Sequence, residues 1–570
     1  MKGDTFLVNA IFGVLDIGRV RNFTDLAADE KTIEVIRRFQ EIHAEFPAAE
    51  LDEKGIIPEA AMKRLRQIGF FGLNIPAAYG GMGLGLQNYL RVTEEIVAQN
   101  ISLGFTALAH LSIGTKGILL FGTEAQKEKY LNPAASGEMI FSYALTEPRH
   151  GSDAKSIETT AVLSPDGRYY ILNGQKSYIT NANYAGGLTV FAQMDPSTPG
   201  FMGAFIVETG WQGVTIGKDM PKMGLKASST ATIRFKNVHV PRENLLGKPG
   251  EGFKIAMTIL NHGRLALGAG SAGTIRQALQ DMKKRSATRQ QFGVPIDRFE
   301  LIQEKMVRAS VNGYVASAMT AFTADMLNDD PLAPVAIESS HCKLFGTTRA
   351  WDTLYDALQV AGGAGYLATQ PYEMRMRDFR VTTIFEGTTE IHSIYPALYM
   401  IRRLAKGLQA VSNSKGAQIS FLFKSLFGRS RWRLHFNQKK MDRALREAAS
   451  NARWISVMVH AVTLIFGKKI YAKEFLLRRI ATLSLHLYGI MAVLARIEAA
   501  RRAGREVAAD LLLLDYFVEE SRRQTAKGFG SLFSTPQERL NRKIAQNIRF
   551  SSLQGAGGDR QGAGLQPPKP

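Results

Sequence analysis

The sequence predicts an α+β protein, mainly α. It reads as a helical N-terminal domain, a middle β domain, a second helical domain and an additional helical domain near the C-terminus. Three observations carry this: apolar residues at three- and four-residue spacing on both sides of a β-rich stretch, that stretch itself, and a composition shift after about Leu404. At 570 residues and 45% hydrophobic content the chain is too long for one core.

From about Thr32 to Ala134 the spacing is helical, as in Ala61, Leu65, Ile68 and Phe71. Between about Ile140 and Leu246 short β-rich runs take over, among them Tyr169 to Leu172, Leu188 to Phe191 and Thr232 to Phe235, with Asp166-Gly167 as a hairpin signal. Gly250-Glu251-Gly252 opens the second helical region. Lys406 to Gly416 reads as a linker, Met441 to Asn547 as helices rich in Ala, Leu and Arg, and the Gly/Gln/Pro stretch from Gly555 as disordered. The expected divisions are an arm over 1–30, domains over 31–139, 140–247 and 248–405, a linker with a basic amphipathic segment over 406–440, a helical domain over 441–553 and a tail over 554–570.

Cys342 is the only cysteine, which excludes an internal disulfide, a cysteine-ligated iron–sulfur cluster and any CxxC zinc site; no metal is expected, and a reducing compartment fits. Lys2 followed by Asp4, with a short apolar stretch from Phe6 to Leu15, reads as a cytoplasmic-type start. No window reaches about 18 uninterrupted apolar residues, so no membrane span is expected. Leu511 to Leu514 reads as a buried helical turn. The net charge of +20 is confined to one end: residues 401–570 hold 31 basic and 11 acidic residues, leaving 40 of each in residues 1–400. A neutral body is joined to a segment that seeks an anionic surface.

Five clusters carry chemistry. Tyr143-Ala144-Leu145-Thr146-Glu147-Pro148, running on to Gly151-Ser152-Asp153, offers hydroxyls and peptide N–H groups for a polar heterocycle or phosphate, and alone also reads as an ordinary loop. In Asn173 to Asn181, Tyr178 and Thr180 share one strand face, an aromatic plane beside a hydroxyl that suits a flavin or a plain surface pair. Arg289-Gln290-Gln291-Phe292-Gly293 and Gln359-Val360-Ala361-Gly362-Gly363 supply a guanidinium for a pyrophosphate and close backbone approach to a nucleotide; neither is a Rossmann fingerprint. Finally, Arg380 to Glu390 places Glu386 between Phe385 and Gly387, where desolvation turns a carboxylate into a useful general base.

The order TEPxxGSD, NGxKxYITN, Met223-Gly224-Leu225-Lys226-Ala227-Ser228, RQQFG, QVAGGAGY and FEGTTEI, over roughly residues 30–405, resembles the acyl-CoA dehydrogenase family. Ala109 to Gly114, Leu119 to Thr123, Leu301 to Lys305 and the long C-terminal extension are similar to its very-long-chain branch. The resemblance implies a β-sandwich or barrel in the middle, a four-helix bundle after it, and FAD as cofactor. It places Tyr143, Ala144, Leu145, Thr146, Gly151, Ser152, Tyr178, Ile179 and Thr180 along the flavin, and Arg289, Gln291, Phe292, Gln359, Gly362 and Gly363 on its nucleotide part across a homodimer interface. Thr388 and Glu390 follow the base and touch the cofactor, while Ser152, Asn261, Arg264, Phe385 and Gly387 face substrate.

The implied reaction is oxidation of long or very-long-chain acyl-CoA to trans-2-enoyl-CoA in fatty acid β-oxidation. Glu386 removes the α-proton, its peptide N–H and a ribityl hydroxyl hold the carbonyl, hydride passes to flavin N5, and an electron-transfer flavoprotein takes the electrons. Tyr178 stands where many members have Trp, Arg149-His150 replaces small residues, and Leu108 replaces a second glycine beside Gly104 in the acyl tunnel, which leaves chain length open. In the extension, Ile419, Leu422, Phe423, Leu426 and Phe427 form an apolar stripe, followed by Arg429, Arg431, Trp432, Arg433, Leu434 and Phe436. That predicts peripheral contact with the inner face of an anionic membrane, in the mitochondrial matrix if the source is eukaryotic. Competing readings are a flavoprotein-fold assembly factor or scaffold and a nucleic-acid-binding flavoprotein; the aromatic stripe favours lipid, and no nucleic acid is expected.

Overall fold

The first helices follow the apolar spacing directly. In the computed structural model, which describes residues 5–12, 14–410, 416, 420, 435–529 and 534–554, the residues Ala61, Leu65, Ile68 and Phe71 are all buried. The helices before the β domain are α1 (Phe6–Ile11), α2 (Ile17–Asn22), α3 (Glu30–Glu45), α4 (Ala48–Lys54), α5 (Glu59–Gln67), α6 (Leu86–Gln99), α7 (Ile101–Ala109), α8 (Lys116–Phe121) and α9 (Glu124–Ser136). Helix α9 starts on a reciprocal capping box between Thr123 and Gln126. Buried His110 ties the helical domain to the first strand: its ring bonds the Ala134 carbonyl at 3.1 Å and accepts the Phe141 N–H at 2.8 Å.

The β domain comprises β1 (Ile140–Ala144), β2 (Thr160–Leu163), β3 (Tyr169–Thr180), β4 (Ala185–Gln193), β5 (Met202–Glu208), β6 (Val214–Ile216), β7 (Thr230–Pro241) and β8 (Leu245–Leu246). They form one sheet in the order β6-β7-β3-β2-β4-β5-β8, with β1 running parallel to β4. Its halves face each other as a sandwich: Leu172, Ile233 and Val240 from one side share a core with Val190, Phe205 and Val207 from the other. Tyr170 and Phe205, which are not on neighbouring strands, have ring centroids 5.1 Å apart. The Asp166-Gly167 hairpin joins β2 to β3, with Gly167 at φ +69°.

Helix α10 (Gly252–Thr288) begins where the Gly250-Glu251-Gly252 signal stands, and the two-strand hairpin β9 (Gln290–Gln291) and β10 (Val294–Pro295) follows it. Then come α11 (Glu300–Asp329), α12 (Ala336–Ala361), α13 (Pro371–Phe379) and α14 (Thr389–Ala410). Helix α10 packs on α6, α11 and α12. The approach is closest at Gly273, where a Cβ would stand 1.8 Å from the Glu94 carbonyl oxygen. Helix α14 continues to Ala410, so the linker expected from Lys406 is helical over its first residues.

The described residues fall into two compact units, one of residues 5, 17–392 and 491–514, the other drawn from residues 6–16, 393–490 and 515–554. The second draws on α1, α15 (Lys439–Phe466), α16 (Glu474–Arg502), α17 (Ala508–Phe529) and α18 (Pro536–Gln554). The N-terminal arm is thus not a free segment. Leu7, Val8, Ala10 and Ile11 are fully buried, Phe6 lies against Tyr488 at 6.2 Å, and the Ile11 carbonyl accepts from Ser456 Oγ at 2.8 Å. Asn451 bridges α15 to α17 through Ser521 and Thr525, and Thr535 with Glu538 caps α18 reciprocally.

Two expectations require correction. Ile101–Phe121, Lys439–Ala472 and Glu474–Arg502 are each long and apolar enough to cross a membrane by length and composition; the windows in the first and third are 89% buried inside the protein, that in the second 39%. Requiring an unbroken apolar run missed them, since a mean over a helix tolerates scattered polar residues and an interior helix reads like a spanning one. The Leu511 to Leu514 turn is also split by its helix, with Leu514 fully buried and Leu512 63% exposed. The stripe from Ile419 to Phe427 and the basic run Arg429 to Leu434 lie outside the described residues. Phe436 is buried, so it belongs to the unit's interior rather than to a lipid-facing surface.

Candidate active site

Glu386 sits on a left-handed turn, φ +53°, followed by Gly387 at φ +99°. The residue as a whole is half-buried, yet its Oε2 is sealed from solvent and has no hydrogen-bond partner among the described residues. Burial pushes the carboxyl up to about 7, against the opposing charges of Arg264 and Lys343. Gly263 on α10 makes room for it: a Cβ there would stand 2.4 Å from Oε2. No hydrogen bond among the described residues uses the Glu386 peptide N–H.

The turn's carbonyls are held from below. His392 Nε2 lies 3.0 Å from the Glu386 oxygen and Lys343 Nζ 2.6 Å from the Gly387 oxygen. Arg264 Nε donates to the Glu386 oxygen at 3.4 Å and its Nη1 to Asn261 Oδ1 at 3.3 Å; Ser339 Oγ reaches the same amide oxygen at 3.2 Å. Phe385 stacks on Phe105 of α7 with centroids 5.7 Å apart. Tyr143 and Tyr89 both lie within electrostatic reach of Glu386, and the Tyr143 hydroxyl donates to the Ala256 carbonyl at 3.2 Å.

The first two sequence clusters meet at the ends of β1 and β3. The Ser177 N–H donates to the Thr146 carbonyl at 2.9 Å, and Ser142 Oγ to the Thr180 carbonyl at 2.7 Å. Beneath them runs a buried ion pair, Lys176 Nζ to Glu147 Oε1 at 2.7 Å, and the same lysine reaches the Leu145 carbonyl at 3.1 Å. Tyr178 and Thr180 both stay out of the core while Ile179 enters it, but a bulge puts them there rather than the regular two-residue repeat: Tyr178 has φ +59°. Ala144, Leu145 and Ile179 are buried in protein, so they offer peptide groups and not side chains. Gly151 and Ser152 are exposed, beside an Arg149–Glu158 ion pair.

Arg289, Gln291 and Phe292 on the β9–β10 hairpin, and Gln359, Gly362 and Gly363 at the end of α12, are exposed. Neither group is joined to the Glu386 turn by a hydrogen bond or ion pair among the described residues. Phe292 is 95% exposed. Thr388 and Glu390 open α14, with the Thr388 carbonyl accepting the His392 N–H at 3.0 Å. Sequence reasoning missed Ser340, Lys343 and His392, all fully buried, and Gly263. The available signal was the run Glu338-Ser339-Ser340-His341, with Lys343, close to the start of α12, four consecutive polar residues that no single exposed helix face can hold.

These residues fit a flavin. An aromatic ring held outward at a left-handed position, Thr180 out of the core on the same strand, Thr146 bonded to that strand through its carbonyl, and a carboxyl with one sealed, unpartnered oxygen suit a planar heterocycle with a polar rim. Fold and site define a flavin-dependent oxidoreductase. The chain belongs to the acyl-CoA dehydrogenase family: its N-terminal domain matches residues 27–138, its middle domain 142–238 and its C-terminal domain 250–395. Residues 439–552 match the ACAD9/ACADV, C-terminal domain. The chain is 35% identical to the human mitochondrial very long-chain specific acyl-CoA dehydrogenase, over 95% of this chain and 86% of that one. Its structure superposes on a Bacillus anthracis acyl-CoA dehydrogenase complexed with FAD with a TM-score of 0.78 at 28% identity, covering 98% of this chain and 96% of that one. The Megasphaera elsdenii butyryl-CoA dehydrogenase (TM-score 0.63, 32% identity) is covered entirely by 66% of this chain, which marks the last third as an addition to the catalytic frame.

Proposed function

We propose that the chain oxidises long or very-long-chain acyl-CoA to the trans-2-enoyl thioester with Glu386 as the base. The observation that carries this is a carboxyl pushed up to about 7 in a pocket where one oxygen has no partner. Such a group takes a weakly acidic proton near neutral pH. The unused Glu386 N–H donates to the thioester carbonyl as negative charge builds there. Phe385 with Phe105 and Tyr143 exclude water from the reacting carbons. FAD, when bound, supplies the two-electron acceptor. Tyr143 to Thr146, Ser152 and Tyr178 to Thr180 would hold its flavin end, and Thr388 and Glu390 would adjoin it. Arg289, Gln291, Phe292, Gln359, Gly362 and Gly363 would hold the nucleotide end of the cofactor bound in a second copy, which accounts for their exposure in one chain. Anaerobic mixing with palmitoyl-CoA should bleach the flavin, and Glu386→Gln should bind the thioester without bleaching. Repeating this over a series of chain lengths reads out what Phe105 and Leu108 permit; bleaching that survives in Glu386→Gln would sink the assignment.

An electron-transfer flavoprotein is proposed as electron acceptor. The C-terminal unit is proposed to rest on an anionic membrane, on its inner face in a bacterium or in the mitochondrial matrix of a eukaryote. Support comes from its basic excess and from exposed Val457, Leu464 and Ile465 on α15, near Lys468 and Lys469. Each basic group near such a surface contributes about 1 kcal/mol. Deleting residues 417–437 should leave turnover of a soluble substrate intact and abolish sedimentation with anionic vesicles. Unchanged vesicle binding would remove that segment from the account.

A further inference from the structure

Two consecutive carbonyl oxygens of the Glu386 turn are captured by side chains that the chemistry above does not use. Lys343, Ser340 and His392 are all fully buried. Because His392 Nε2 faces the Glu386 carbonyl oxygen it carries the proton, so Nδ1 accepts from Ser340 Oγ at 2.7 Å. Burial keeps this ring neutral. Lys343 differs: it is a buried ammonium that forms no ion pair among the described residues, and its hydrogen bond goes to the Gly387 carbonyl. A buried cation without a paired anion is held at the expense of its hydration. Among the charges acting on it, Glu386 is the largest.

We infer that Lys343 is the positioning residue of the catalytic turn: its ammonium pins the Gly387 carbonyl and biases the neighbouring Glu386 carboxyl toward its ionised, base form. This rests on Glu386 being the base. Among the described residues, no other group facing that carboxyl also holds the Gly387 carbonyl. Arg264 on α10 favours the ionised carboxyl more strongly than Lys343 does, and it donates to the Glu386 carbonyl at 3.4 Å and to Asn261 Oδ1 at 3.3 Å. Tyr89 on α6, Tyr143 on β1 and His392 on α14 are neutral, and Glu390 on α14 acts on Lys343 rather than on Glu386. Burial lowers the Lys343 ammonium to about 8 and raises the Glu386 carboxyl to about 7.

The test is an infrared pH titration of the FAD-loaded enzyme, following the protonated-carboxyl band identified by its loss in Glu386→Gln. In Lys343→Met the midpoint should rise by about one pH unit. The acid limb of the palmitoyl-CoA bleaching rate should move with it, while flavin per chain stays at the wild-type value. Lys343→Gln keeps an N–H donor for Gly387 without the charge and should show the same rise; it decides alone if the Met variant does not fold. Lys343→Arg should keep the wild-type midpoint. An unmoved midpoint in Lys343→Gln, or a raised one in Lys343→Arg, overturns the inference. If no acyl-CoA bleaches the wild type, the proposed substrate fails while the infrared arm still decides the role of Lys343.

Discussion

The turn at Phe292-Gly293 and the turn at Glu386-Gly387 have nearly the same backbone: φ is +53° at both Phe292 and Glu386, and +81° and +99° at the glycines that follow. Their surroundings are opposite. The first closes the β9–β10 hairpin, where pairing of Gln291 with Val294 and a two-residue loop favour positive φ at both positions. An added Cβ at Gly293 would meet nothing within 4 Å. The second has no ladder. There the same conformation is imposed by Lys343 and His392, and a Cβ on Gly387 would stand 2.7 Å from His392 Nε2. A left-handed non-glycine residue costs about 1–2 kcal/mol in either place. In one the local pairing offsets that cost; in the other a buried polar cluster does, and what it holds in place is a reactive carboxyl.

The largest effect that separates the two turns should come from Gly263→Ala. Its methyl would stand 2.4 Å from Glu386 Oε2, so the carboxyl must move. A displacement of that size is expected to lower kcat about 100-fold, with flavin content unchanged. Activity within about twofold of wild type would show that the catalytic turn is no more constrained than the hairpin.

How much of this was legible follows the same division. The Asp166-Gly167 turn and the start of α10 come from neighbours in sequence, and local pattern finds them; the Phe292 hairpin is as local, but its residues were read only for their chemistry. The Glu386 turn was identified by its place in an ordered set of motifs, but its conformation was hidden. One of its two holding side chains is 44 residues away in sequence, and the other, six residues on, sits in a helix where a lone histidine carries no signal. The same limit hid what holds the N-terminal arm, because its partners on α15 and α16 lie hundreds of residues downstream. Tyr178 and Thr180 were placed on the right side by a rule of alternation that the bulge at Tyr178 breaks. A run of four leucines conceals the exposed Leu512, because successive helical positions point to different sides.

Replacing the two turn glycines by alanine tests the comparison through stability. Gly293→Ala pays only for positive φ and should lower stability by about 1 kcal/mol. Gly387→Ala meets His392 as well and should cost about 2–4 kcal/mol, read from denaturant midpoints. Equal losses would mean that the cluster under Glu386 yields easily. A smaller effect concerns pH. Because the Glu386 carboxyl stands at about 7 in the folded chain, above its ordinary 4.5, the native state binds this proton more tightly than the unfolded one. Its contribution to stability is therefore full below the unfolded value and is lost as pH rises through 4.5 to about 7. Glu386→Gln should melt a few degrees above wild type at pH 8, by roughly 2–4 °C, and the difference should shrink as pH falls to 5. A constant difference would point to a solvated carboxyl.

The smallest expected effect on the isolated chain is the most telling about the exposed turn. Phe292 is 95% exposed and its main ring contact is Phe299, at 6.1 Å. Phe292→Ala should therefore change the stability of the flavin-free chain by no more than about 0.5 kcal/mol. If this turn reaches the nucleotide end of a cofactor bound in a second copy, the same variant should lose FAD several-fold more readily on dilution, while Glu386→Gln keeps it. Dilution-induced FAD loss equal to wild type would leave the hairpin as a local structure with an exposed ring and would remove Phe292 from the cofactor site. The two turns would then differ not only in what enforces them but in whether a ligand uses them at all.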